Sequence, residues 1–149
     1  MEELVITQVT EDEITAFEKL AWRIADVEHY GKEIPWEVWE PQWIYLKAVQ
    51  QETVVGSLAA NVIAGVIYLD RVIVDAEYQR SGVGTQLLQT LERLAIDALG
   101  VHKIYLYTGK DWSANKLYQK AGYTITGELP NHYYGVDFVM FAKELRDHG

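Results

Sequence analysis

The stretch "QRSGVGTQLL", Gln79 to Leu88, decides the reading of this chain. Gly82 and Gly84 stand one residue apart, Arg80 precedes them, and a helical pattern follows at once. Val83, Leu87, Leu88, Leu91, Leu94, Ala95, Ala98 and Leu99 make one apolar stripe at helical spacing. Upstream, "VIYLDRVIV" reads as a strand. A strand therefore turns through a short loop into a helix that starts near Gly82. The free N–H groups at a helix start attract an anion, and the helix dipole favours negative charge there. Glycine carries no Cβ, so the backbone can approach a ligand closely. Arg80 can add a charge-assisted hydrogen bond to phosphate. The physical reading is a pyrophosphate cradle, set against the plainer one that the glycines only turn the chain.

Two well-known phosphate loops do not fit. A P-loop needs lysine after its last glycine, and Gly84 is followed by Thr85. A dinucleotide-binding fingerprint wants a small third residue where Leu87 stands, and a βαβ unit instead of consecutive β segments before the glycines.

Composition narrows the rest. The chain has 149 residues, 49% of them hydrophobic, which predicts one domain (1–149) with a sizeable core. No apolar run approaches the roughly eighteen residues of a membrane span. The acidic start "MEELVITQVTEDE" lacks the basic and apolar regions of a secretory signal, so the expected location is cytoplasmic. There is no cysteine, which excludes disulfides, thiolate metal sites and a cysteinyl-acyl step. His29, His102, His132 and His148 are too dispersed for a paired metal motif, and no metal is expected. The net charge of -9 opposes general nucleic-acid binding and suits a cationic partner.

The remaining segments complete an α/β pattern. "LVITQVT" alternates like a strand, and Thr10 with Glu13 forms a capping box for a helix from Glu11 to about Val27. A tryptophan-rich stretch broken by Pro35 and Pro41 leaves room for one short helix. "WIYLKAVQ", "QETVVGSLAANVI" and "VIYLDRVIVD" form a meander. "HKIYLYT" is a strand, "WSANKLYQKAG" a short helix, and "YTITGEL" and "DFVMFAKEL" two strands around the loop "PNHYYG". The expected fold is a mixed central sheet with helices on both faces.

The run Gln79-Arg80-Ser81-Gly82-Val83-Gly84 resembles the Q/R-x-x-G-x-G/A motif of the GCN5-related N-acetyltransferase (GNAT) superfamily. "LDRVIVDAEYQ" is similar to the segment that precedes this motif in the family, and "ANKLYQKAGY" to the A-x-x-L-Y-x-x-x-G-F segment that follows it, with Tyr123 in place of the phenylalanine. The resemblance spans about Trp43 to Leu145. It implies the acyl-CoA N-acyltransferase fold, in which the fourth and fifth strands splay apart at a bulge and acetyl-coenzyme A enters the opening. Those strands would be "VIYLDRVIV" and "KIYLYT". Val72, Ile73 and Val74 would then pair with the pantetheine arm. Gln79, Arg80, Ser81, Gly82, Val83, Gly84 and Thr85 would hold the pyrophosphate. Tyr118 matches the tyrosine near the coenzyme sulfur, the acid that protonates the departing thiolate. The family often places asparagine seven residues earlier, where this chain has Asp111; Asn115 is the alternative contact. A family glutamate that serves as base corresponds to Tyr68, so Asp70, on the same face if no bulge intervenes, is the candidate base.

The resemblance implies transfer from acetyl-coenzyme A to an amine, by direct attack in a ternary complex. Trp36, Trp39, Tyr68, Tyr133 and Tyr134 are expected to enclose an aliphatic amine, drawn in by Glu33, Glu37 or Glu40. A small cationic amine is the first expectation, a peptide N-terminus or lysine the second. A non-catalytic acetyl-coenzyme A-binding regulatory module is the rival from another class. Members of the family often form homodimers.

Overall fold

The computed structural model describes residues 2–145, so His148 lies outside the described residues. The chain divides into two compact units, one ending at Glu40 and the other starting at Pro41. No helix among the described residues is long and apolar enough to cross a membrane.

In the first unit, α1 (Asp12–Tyr30) begins where the capping box places it. The Thr10 N–H donates to Glu13 Oε2 at 3.1 Å. The helix outruns the expected end at Val27 and stops at Gly31, which has φ 77° and donates its N–H to the Val27 carbonyl at 2.9 Å. Only a residue free of Cβ adopts that left-handed closure readily. A single 3-10 turn, Trp36–Trp39, lies between the two prolines. The expected strand "LVITQVT" does not form: residues 2–10 are irregular, and Leu4 and Ile6 are 86% and 85% exposed. Alternation supplies strand propensity, but a strand also needs a ladder partner, and this segment has none among the described residues.

The second unit is a six-stranded mixed sheet. Its elements are β1 (Gln42–Gln50), β2 (Thr53–Ile63), β3 (Val66–Val74), α2 (Val83–Asp97), β4 (Lys103–Gly109), α3 (Asn115–Lys120), β5 (Thr124–Leu129) and β6 (Phe138–Glu144). The strand order is β1-β2-β3-β4-β6-β5. Two-residue turns join the meander: Gln51 and Glu52 have φ 50° and 64°, and Ala64 and Gly65 have φ 50° and 80°. Left-handed geometry at both central positions matches the twist of the strands they connect. Because the N-terminal segment forms no strand, the family's fourth and fifth strands are β3 and β4 here.

These two strands are the sheet's parallel pair, and they hold together only at one end. Val66, Ile67 and Tyr68 oppose Lys103, Ile104 and Tyr105, after which the strands part. The cause lies on the other edge of β3. Ala59 opposes Arg71 while Ala60 opposes Leu69, which leaves Asp70 as the extra residue of a β-bulge. The core fills one face of the sheet. Leu58, Ile67, Leu69, Ile104 and Phe141 meet Leu88 and Leu91 of α2, all at 2% exposure or less. Each such burial contributes roughly 1.5–3 kcal/mol. Both α2 and α3 lie on this face, since Leu87 and Tyr118 join the same cluster.

Candidate active site

The loop from Gln79 to Thr85 is a set of backbone donors with no acceptor among the described residues. The first hydrogen bond of α2 runs from the Gln86 N–H to the Gly82 carbonyl at 3.0 Å. No N–H from Arg80 to Thr85 has a partner among the described residues. Gly82 has φ 88°, and an added Cβ there would point into open space. Arg80 has φ 67°, an uncommon conformation for a residue with a side chain. Successive N–H groups in such turns make an anion-binding concavity. The Arg80 guanidinium has no ion-pair partner among the described residues. The Ser81 side chain, in contrast, turns inward and donates to the Tyr78 carbonyl. Ser81 therefore offers the cradle its N–H, not its hydroxyl.

Three elements converge behind this loop. Gly84 is buried, and a Cβ there would stand 3.0 Å from Leu117 Cδ2 and 3.7 Å from Val74 Cγ2. The start of α2, the end of the parted strand and the helix that carries Tyr118 thus meet at one glycine. Val72, Ile73 and Val74 pair with Leu58, Ser57 and Gly56 on one side, and the side toward β4 is unpaired. Gln79 ties off this edge, donating Nε2 to the Val74 carbonyl at 3.2 Å.

On α3, Tyr118 is 6% exposed and packs against Phe141 and Tyr123, with ring centres 5.8 and 6.1 Å away. Burial pushes its phenol up from the ordinary value. Its hydroxyl has no hydrogen-bond partner among the described residues. Asn115, 8% exposed, donates Nδ2 to the Gly109 and Lys110 carbonyls at 3.1 and 2.7 Å, while its Oδ1 is buried without a partner. Asp111 is exposed and lines a shallow cavity with Trp112, Gly135 and Asp137.

The opposite face of the sheet carries aromatic rings. Tyr68 and Tyr105 are register partners, with ring centres 5.2 Å apart, and Tyr107 stands 5.5 Å from Tyr68. His132 and Tyr133 continue the cluster, their rings 4.2 Å apart and both near Phe138. Burial, and then the Asp70 charge, push the Tyr68 phenol up to about 12. A bulge does intervene at Asp70, so simple alternation does not place its side chain. The carboxylate pairs with Arg71 Nη1 at 2.5 Å. Tyr134 has φ 52° and is fully exposed. Trp36 belongs to the first unit, in a cavity of that unit's own. The contributions of Tyr105 and Tyr107 escaped the sequence reading, although their spacing of two along one strand puts them on a single face.

The chain belongs to the acetyltransferase (GNAT) family, whose profile matches residues 7–123. It is thereby an acetyl-coenzyme A-dependent acyltransferase. An acetyltransferase from Bacillus cereus superposes with a TM-score of 0.71 at 22% identity, over 95% of this chain and 98% of that one. The ribosomal-protein-S18-alanine N-acetyltransferase of Escherichia coli superposes with a TM-score of 0.66 at 19% identity, over 97% and 96%. An aminoglycoside 6'-N-acetyltransferase complexed with coenzyme A gives 0.63 at 21%, over 93% and 92%. No curated protein matches the chain in sequence. The residues present fit the coenzyme. Six unpaired N–H groups suit a pyrophosphate, an unpaired strand edge suits an amide-bearing arm, and the orphan Asn115 Oδ1 suits a donor.

Proposed function

We propose that this protein is a single catalytic domain that acetylates the primary amine of a small cationic metabolite, by direct attack in a ternary complex. The observation that carries the reading is the meeting of cradle, parted strand and tyrosine-bearing helix at Gly84. When bound, acetyl-coenzyme A supplies the activated acetyl thioester. Val83, Gly84, Thr85 and Arg80 hold its pyrophosphate through N–H groups and a guanidinium. The edges of Val72, Ile73 and Val74 align its arm, and an amide of that strand polarises the acetyl carbonyl. Asn115 accepts a hydrogen bond through Oδ1.

Tyr118 presents its hydroxyl to the sulfur. A phenol raised by burial stays neutral through the physiological range. It therefore supports the developing thiolate as a hydrogen-bond donor and yields its proton late. On the other face, Tyr68 and Tyr133 wall the acceptor, and Asp70 takes the proton that the amine sheds. The absence of cysteine supports direct transfer over an acyl-enzyme.

Calorimetric titration with acetyl-coenzyme A tests the reading, followed by thiol release over a panel of amines and peptides. Micromolar binding and turnover of a small amine are expected. No binding by folded protein overturns the cradle. Turnover of peptides alone moves the acceptor to a protein N-terminus, the kind of acceptor named for the Escherichia coli neighbour. Binding without turnover makes the protein a regulatory module.

A further inference from the structure

The sheet face turned away from the core carries more aromatic surface than a small alkylamine needs. Tyr105 and Tyr107 stand on it where β4 leaves β3: Tyr105 is the last residue paired with β3, and Tyr107 is the next on the same face. Tyr68, Tyr105, Tyr107 and His132 are each half-buried, neither core nor free surface. Their neighbours meet them at steep angles. The Tyr105 and Tyr107 planes cross at 78°, and those of Tyr133 and Phe138 at 90°, with ring centres 5.9 and 5.2 Å apart. Edge-to-face contact of this kind is attractive beyond the area it buries, and the outer rings of the array leave faces and edges for one more ring.

The loop that brings His132 and Tyr133 to the array is held by its own hydrogen bonds. The Asn131 N–H donates to Asp137 Oδ1 at 2.8 Å, the His132 N–H to the Val136 carbonyl at 2.8 Å, and the Gly135 N–H to the His132 carbonyl at 3.0 Å. Asn131 and Tyr134 take φ of 51° and 52°, a left-handed conformation that costs free energy and persists where the surroundings fix it. The two rings are therefore placed before any ligand arrives, which lowers the ordering cost of binding.

Charge is scarce here. Burial first, and then the Asp70 charge, raise the Tyr68 phenol; the other groups that act on it are the phenols of Tyr133, Tyr107 and Tyr105. Arg71 Nη1 lies 2.5 Å from the Asp70 carboxylate and offsets its charge. That pair can serve one ammonium, the one that must lose its proton before attack. A second ammonium farther along the acceptor would leave water for phenol rings with no carboxylate beside it. An alkyl chain would gain burial alone, whereas an aryl ring gains burial and the edge-to-face contacts together.

We propose that the acceptor is an arylalkylamine, its primary amine at Asp70 and its aromatic ring laid among Tyr105, Tyr107 and His132. The proposal rests on the acetyl-transfer reading and narrows that reading's acceptor to one class. The nitrogen bonds to the acetyl carbon as the carbon–sulfur bond breaks, and the sulfur leaves as the thiol. Of the two protons the ammonium sheds, one makes up the proton that Tyr118 gives the thiolate, and the other goes to solvent.

2-Phenylethylamine is the probe. 2-Cyclohexylethylamine matches its shape without the π face, and spermidine replaces the ring with further charge. Thiol release by the whole protein should give the phenyl compound a kcat/KM at least about tenfold above the cyclohexyl one and about 100-fold above spermidine. Calorimetric titration into the coenzyme A complex, in which no transfer occurs, should give the same order of affinity. Tyr107→Leu keeps apolar bulk and removes the ring, so it should bring the phenyl-to-cyclohexyl ratio to within about threefold of one, with circular dichroism confirming the fold. Equal kcat/KM for the two analogues in the wild-type protein overturns the proposal, and that comparison needs no variant. So does preference for spermidine or a peptide, or an unchanged ratio in folded Tyr107→Leu; acetyl transfer itself stands in each of these cases. Turnover of none of these amines overturns the proposal as well. Binding of acetyl-coenzyme A then confines the failure to the acceptor, and its absence extends the failure to the coenzyme site.

Discussion

Alanine at Gly82 should separate the ligand role of the glycine loop from its part in turning the chain. Gly82 has φ 88°, and an added Cβ would meet no atom within 4 Å. Gly100, beyond the far end of α2, has φ 62° and is equally open. Both substitutions force alanine into the left-handed region, at about 1–2 kcal/mol. Both also remove glycine's freedom in the unfolded chain, which returns about 0.4–1 kcal/mol. The net loss is about 1 kcal/mol at either site, or a Tm lower by about 2–4 °C for a chain of this size. Affinity for coenzyme A should split the pair. The Gly82→Ala methyl stands on the rim of the donor loop and should cost about tenfold, equivalent to about 1.4 kcal/mol. Gly100→Ala should stay within about twofold of wild type. Calorimetry on the three proteins, with thermal melts alongside, reads both quantities. Wild-type affinity in Gly82→Ala refutes the cradle. Equal losses in both variants refute it too, since general destabilisation then accounts for the effect.

Tyr118→Phe should lower kcat by about 100-fold and leave coenzyme A affinity within a few-fold, measured by thiol release and calorimetry; full activity removes Tyr118 as the proton donor. Tyr68 bears on alkaline stability. Its phenol is raised to about 12 from 10.0, so the folded state keeps a proton that the unfolded chain releases. Its contribution is fully present below pH 10 and is lost as pH rises through about 12. Urea midpoints for wild type and Tyr68→Phe should therefore run parallel from pH 7 to about 9 and converge or cross above 10; parallel curves throughout would contradict the shift. Lys143 Nζ bonds Glu92 at 2.9 Å and the Ala121 carbonyl at 2.7 Å, and the Tyr123 hydroxyl donates to the same Glu92 oxygen at 3.2 Å. Lys143→Met should destabilise by roughly 1–3 kcal/mol in urea, and adding Glu92→Gln should restore part of that loss; strict additivity would show that the pair is not coupled.

The sequence by itself determined the family and the place of the glycine loop between a strand and a helix. Gly82 and Gly84 at a strand-to-helix junction are a local signal, because a helix start carries its own unpaired donors whatever surrounds it. The capping box at Thr10, both hairpins of the meander and the helix of Tyr118 were legible for the same reason: each depends on residues a few positions apart. The failed strand at "LVITQVT" shows the limit, since alternation cannot say whether a partner strand is present. Tertiary structure alone decided the rest. The bulge at Asp70 exists only as a mismatch of β3 against β2, so its effect on the candidate base could not be counted along one strand. The Tyr68–Tyr105 pair exists only because a parallel register brings together residues 37 positions apart. The cavity of the first unit is lined by Trp22 and Tyr30 of α1 and by Trp36 and Trp39 of the 3-10 turn, so it exists only where those two segments come together. Local signals come from the chain's covalent order, whereas burial and register arise only when distant segments compete for the same space.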